Sequence, residues 1–339
     1  MKRKWIRRVS WILLTPVLLF VILMILLYIP PVQNLLRREV TAYASKATGM
    51  QIQVERIDLR FPLNLLVRGV EVIQQPDTLL SLESLNVRVQ AWPLVKGKVE
   101  VDEVTLSQVA FNSANLIEGM KIKGVLGRFF LQSHGVDLSN ELAVINQTEL
   151  SDTHVQMLMN DTTTTPKDTT ASAPVNWKVD LHKLKLKNVS FSMQLPADSM
   201  RMAAHIGEAF INDAQADLKN QFYELKQFLL SGSSANYDTG AAKPGEGFDA
   251  SHIAVRDIRI GLDSLYKSRD MNAVIREFSM NERSGLSITS LTGRAFSNDS
   301  IIRIPGIKLQ TPHSEIDLSA QTYWELVNIP TTGRLSAGL

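Results

Sequence analysis

Cysteine is absent from the 339 residues, which removes disulfides, thiolate nucleophiles and cysteine-based zinc sites together and leaves the compartment open. Aromatic residues reach only 7%, and helical periodicity is scarce after residue 50, so there is little material for a second layer over a sheet. Net charge is nearly absent too, at +2. Lys2, Arg3, Lys4, Arg7 and Arg8 hold five of the positive charges, and subtracting them leaves −3 for everything that follows. No basic face for nucleic acid survives that distribution. The phosphate-cradling and nucleophile-elbow motifs are missing, and Gly119, Gly124 and Gly127 in "GMKIKGVLG" have a spacing that fits none of them. The six histidines (His134, His154, His182, His205, His252, His313) are scattered, with no second histidine at i+3 or i+4. The expectation is a protein that is not an enzyme, with no catalytic residue, no cofactor and no metal. What is present, 45% apolar and 21% charged residues, is ordinary for an ordered chain.

One long apolar run stands out, Trp11 to Ile29, "WILLTPVLLFVILMILLYI". At about 1.5 Å per residue it spans about 28 Å, the hydrocarbon thickness of a bilayer. Trp11, Leu14, Leu18, Val21, Leu23, Leu26 and Ile29 are the expected membrane anchor, with Trp5, Trp11 and Tyr28 near the interfaces. The basic cluster before the run places the N-terminus in the cytoplasm and the bulk of the chain outside. The rival reading is a cleaved signal peptide, against which the run is long and the nearest small-x-small site, Ala42-Tyr43-Ala44, lies far downstream. Residues 1–30 are thus read as basic tail and anchor. Residues 31–49 carry Val32, Leu35, Leu36, Val40 and Tyr43 at helical spacing and stop at Gly49. They predict an amphipathic helix that either plugs the end of the next module or lies on the membrane.

From residue 50 the texture changes. "VEVDEVTLSQVAFN" (99–112) and "VDLHKLKLKNVSF" (179–191) share an alternation of apolar and polar residues that slips at the same places. Its unit is Φ-x-Φ-x-x-Φ-x-Φ. At about 100° per residue the four apolar positions scatter around a helix. As a strand the two halves alternate correctly, and the doubled x-x is one extra residue, a β-bulge that returns the apolar side chains to one face and bends the strand. The strict unit begins at Ile52, Leu80, Val99, Val179 and Ile302, where roughly one chance match is expected. Looser copies begin at Tyr223, Ile253, Ala273 and Leu286. The prediction is a mainly β fold: an elongated, curved, repeated antiparallel sheet open as a groove.

Turn signals such as "QPDT", "LPADS" and "IPGI" punctuate the strands. Two polar segments, 160–176 and 231–247, are expected to be a disordered loop and a flexible loop. They divide the sheet into modules at 50–159 and 177–339. Asp77-Thr78, Asp161-Thr162, Asp198-Ser199, Asp263-Ser264 and Asp299-Ser300 resemble an O-glycosylation signal of some Gram-negative envelope proteins, or serve as turn caps.

The order of an N-terminal helix, "KATGMQIQVERIDLRF", "VRGVEVIQQPDTLLSLESLNVRV" and "PLVKGKVEVDEVTLSQVAFN" resembles the N-terminal region of the AsmA/TamB family of bacterial envelope proteins, with echoes in "LKLKNVSFSM" and "IPGIKLQTPHSEIDLSAQ". Residues 50–159 are the AsmA-like part. The resemblance implies a periplasmic protein anchored in the inner membrane, similar to chorein-type bridge proteins with a curved apolar groove. It also implies a role in phospholipid transfer towards the outer membrane, in outer-membrane protein assembly and secretion, or both.

Independently, a bulged sheet with its Φ positions on one side and nothing to cover them would leave an apolar trough suited to acyl chains. The expected lining is Ile52, Val54, Ile57 and Leu59; Val99, Val101, Val104 and Leu106; Val179, Leu181, Leu184 and Leu186; and Ile302, Ile304, Ile307 and Leu309. Expected partners are the inner membrane, phospholipid acyl chains and an outer-membrane β-barrel assembly partner, with no nucleic acid. Two other roles stay open: an assembly factor that receives strands of outer-membrane barrels by edge pairing, and a structural spacer of the envelope.

Overall fold

The computed structural model describes residues 29–60, 63–90, 100–117, 119–137, 140–159, 176–240, 245 and 247–323. The predicted anchor lies outside these residues except for Ile29, which precedes the first helix with an extended backbone. No helix of the described residues is long and apolar enough to cross a membrane.

Helix α1, Pro30–Thr48, matches the predicted amphipathic helix within one residue at each end. Proline in its first turn removes a donor that would have had no intrahelical acceptor. The helix stops where Gly49 turns left-handed (φ 70°) and its N–H donates to the Ser45 carbonyl at 3.0 Å.

Fifteen strands follow: β1 Gln51–Arg60, β2 Asn64–Gln74, β3 Asp77–Val89, β4 Val101–Asn112, β5 Met120–Asp137, β6 Leu142–Met159, β7 Lys178–Leu195, β8 Met200–Asp217, β9 Phe222–Asp238, β10 His252–Lys267, β11 Met271–Glu282, β12 Ser287–Ile288, β13 Ser290–Ser297, β14 Ile301–Gln310 and β15 Glu315–Tyr323. They form one curved, open sheet in chain order, with β12 a two-residue spur on β11. Strands lengthen from 10 residues in β1 to 18 in β5 through β8 and shorten to 9 in β15. Neighbours pair antiparallel, with one exception. β6 and β7 run parallel, Leu142 opposite Lys178 and Leu158 opposite Gln194. The two β modules of the sequence are therefore one sheet, each a meander, joined side by side.

Two boundaries are tested differently. Residues 160–175, most of the predicted polar loop, lie outside the described residues. The flexible loop expected from residue 231 is corrected: Ser231 to Asp238 complete β9, and the chain leaves the sheet only after Asp238. "SGSSAN" looks like a linker by composition, but its small residues sit where β8 and β9 approach most closely, against Gly207.

The two outer edges of the sheet are unlike. At β1, α1 supplies the missing partners: Gln33 Nε2 donates to the Leu59 carbonyl (3.2 Å), Arg37 Nη1 donates to the carbonyls of Val54 (3.3 Å) and Glu55 (2.8 Å), and the Ile52 N–H donates to Ser45 Oγ (3.1 Å). The helix thus covers the β1 edge. At β15 no described residue does the same, and Ile316, Leu318 and Tyr323 are 48%, 37% and 53% exposed.

Candidate functional site

Residues directly opposite in adjacent strands share a face, so the register traces one surface across the sheet. From β1, Val54 lies opposite Val70, Val70 opposite Leu82, Leu82 opposite Val109, and Val109 opposite Leu126. From there the line runs through Thr153, Val189 and Ile206. A second line, starting at Leu59, passes Leu65, Val87, Val104, Leu131, Thr148, Leu184, Ile211, Phe228, Leu262 and Ile275. Beyond it, Gly293, Ile307 and Leu318 continue the same face to β15. Every described residue of the predicted lining falls on this face, on β1, β4, β7 and β14, and each is half-buried. Val99 lies outside the described residues.

The opposite face is mostly polar, with Phe130, Phe210 and Leu229 as apolar exceptions. On β7 it carries Lys178, Lys185 and Lys187, all exposed, with Lys185 opposite Glu149 and Lys187 opposite Glu208. These cross-strand pairs neutralise one another, so no single-sign field develops.

No described residue forms a layer over this face, and its side chains are half-buried by packing on their cross-strand neighbours. Only four apolar side chains are buried among the described residues, Leu79, Leu82, Ala143 and Ala209. The sheet therefore has an apolar surface and almost no closed core.

A bulge in one strand sets two residues against one in its neighbour and shifts the register. The unit at Val99 does this, with a shift at Arg88/Val89, and so does the unit at Ile302, with a shift at Ile304/Ile307. Across β1 to β9, by contrast, the extra residue of one strand faces the extra residue of the next along one line, and the register runs through unshifted. Glu55 faces Gly69, Glu83 faces Gln108, Gly127 faces Asp152 and Asn188 faces Gly207. Gly69, Gln108, Asp152, Asn188, Gly232 and Asp257 all have left-handed φ, between 50° and 59°. The result is a crease that crosses β1 to β9 at right angles to the strands; where it meets β10 the register shifts on either side of Ile258. At the parallel junction both members are left-handed, and Asn188 Nδ2 donates to Asp152 Oδ1 at 2.7 Å.

A second crease lies about six residues along each of the longer strands and is laced by polar contacts on the polar face. Arg88 pairs with Asp102 (2.9 Å) and Glu103 (2.8 Å), and Arg276 with Asp263 (3.2 Å). Left-handed Asp213 accepts from His182 Nδ1 at 3.1 Å and lies 3.7 Å from Lys226 Nζ. The hydrogen bond from His182, helped by the Lys226 charge, holds the Asp213 carboxyl below its usual value.

The x-x pairs of the second crease, Asp102-Glu103 and His182-Lys183, are legible in 99–112 and 179–191, whereas the methionine row described below is not. No family model and no curated protein matches the chain.

Proposed function

We propose that this chain is a lipid-carrying protein of the Gram-negative envelope, anchored in the inner membrane through residues 11–29 with its sheet in the periplasm. In this reading the apolar face carries phospholipid acyl chains towards the outer membrane, as the resemblance to the AsmA/TamB family implies. The observation that supports it is the continuity of one apolar face from β1 to β15, half-buried through β14 and exposed on β15, with no layer over it among the described residues. Acyl chains suit such a surface because they need uninterrupted contact and no hydrogen-bond partner. The helix-capped β1 edge stands next to the expected anchor, so the trough would begin at the source membrane.

The test is lipid extraction from full-length protein purified in mild detergent. Val104→Asp with Leu184→Asp places two carboxylates on the face and is expected to abolish phospholipid co-purification while leaving the β-type circular dichroism unchanged. Unchanged lipid content would overturn the reading.

The edge at β15, which no described residue caps, favours the alternative, a strand acceptor in outer-membrane barrel assembly without lipid transport. Photo-crosslinkers at Ser319 and at Val104 separate the two. Nascent barrel strands captured at Ser319 alone support assembly, and phospholipid captured at Val104 supports transport.

A further inference from the structure

Six of the eleven methionines, Met120, Met157, Met159, Met193, Met200 and Met202, collect at one end of the apolar face on four adjacent strands, β5 to β8. Three of them form a row across three successive strands. Met157 lies opposite Met193 and Met193 opposite Met202. Strands are spaced about 4.8 Å apart, so the outer two backbones are about 10 Å apart with the third between them. Each side chain has three rotatable bonds. The thioethers can therefore close on one point above Met193.

Met157 and Met193 are half-buried and Met202 is 38% exposed, so solvent reaches the row. Met159 and Met200 stand two residues further along the same face and could supply a fourth sulfur. Valine, leucine and isoleucine fill the corresponding positions elsewhere on the face, so apolar filling does not by itself call for sulfur here. Thioether is a soft, neutral ligand that selects soft cations, and a hard-donor site is missing: no three His, Asp or Glu gather among the described residues.

We propose that Met157, Met193 and Met202 form a site for a soft monovalent cation, Cu(I) or its analogue Ag(I). The inference is independent of the lipid reading, since it needs only the register of β6, β7 and β8. Binding is a ligand exchange with no change of oxidation state: three thioether lone pairs replace the ligands of a Cu(I) complex, and no proton is released because thioethers carry none.

The experiment is competition for Cu(I) against a chromophoric bicinchoninate chelator, with full-length protein in detergent under anaerobic ascorbate. The parent protein is expected to withdraw one equivalent of Cu(I). Met157→Leu, Met193→Leu and Met202→Leu combined conserve volume and apolarity and are expected to weaken capture at least tenfold. X-ray absorption of the loaded parent should show a sulfur-only shell. Absence of Cu(I) capture by the parent, or capture unaltered in the triple variant, would overturn the site. Leu replacements at Met271 and Met280, outside the cluster, should leave capture as it was.

Discussion

Gly207 shows why the creases depend on particular residues. A Cβ added there would lie 2.5 Å from the Gly232 carbonyl oxygen and 2.9 Å from its carbon, both backbone atoms that cannot swing aside. Gly207→Ala should cost about 1–3 kcal/mol, read from the urea midpoint. Gly306→Ala is the control, since a Cβ there meets nothing within 4 Å, and it should stay within about 0.5 kcal/mol. Glu282 is a second case. It is 5% exposed, and its Oε2 accepts the Ser284 N–H at 2.6 Å. Hydrogen bonds from Ser284 hold its carboxyl below the ordinary 4.5. A lowered folded-state value stabilises the fold fully above the unfolded value and loses that contribution as pH falls through the folded one. Glu282→Gln should therefore flatten the acid limb of stability below pH 4.5, measured by urea titration at several pH values, and leave the slope at neutral pH alone.

At the scale of elements, α1 and β1 form a local unit whose joint is polar. Arg37 donates to two carbonyls of β1, so Arg37→Ala should cost about 1 kcal/mol locally. Amide exchange in β1 should quicken about fivefold, with β5 to β9 unaffected. Uniform acceleration across the sheet would show that the edge is coupled to the whole.

The helix was legible in the sequence because Pro31, the 3.6-residue spacing and Gly49 are local signals. The apolar face of β1, β4, β7 and β14 was legible for the same reason. β6 and β8 were not. Thr148 and Thr153 stand in the apolar row of β6, and Ala204, Gly207, Ala209, Ala214 and Ala216 blur the pattern of β8. The parallel β6 and β7 pairing and the matching of extra residues are properties of two strands at once. One-dimensional periodicity holds neither of them.

At the scale of the molecule, a sheet with four buried apolar side chains among its described residues cannot hide its apolar surface by folding alone. Stripping bound lipid from the full-length protein should therefore promote self-association. In sedimentation velocity the delipidated protein is expected to shift from monomer to higher species, and added phospholipid to reverse the shift. A delipidated monomer that leaves a hydrophobic dye dark would contradict the open face.

Because the first crease meets successive strands at matched positions from β1 to β9, the backbone profile repeats at every strand step of about 4.8 Å. Along that direction the surface is a shallow washboard with even spacing and no deep well. A molecule lying on it can be displaced by one strand and find nearly the same contacts again. On the proposed lipid-carrying role, such a surface would offer an occupant little resistance to travel along the row of strands, so residence at any single place would be brief even when occupancy of the whole is high.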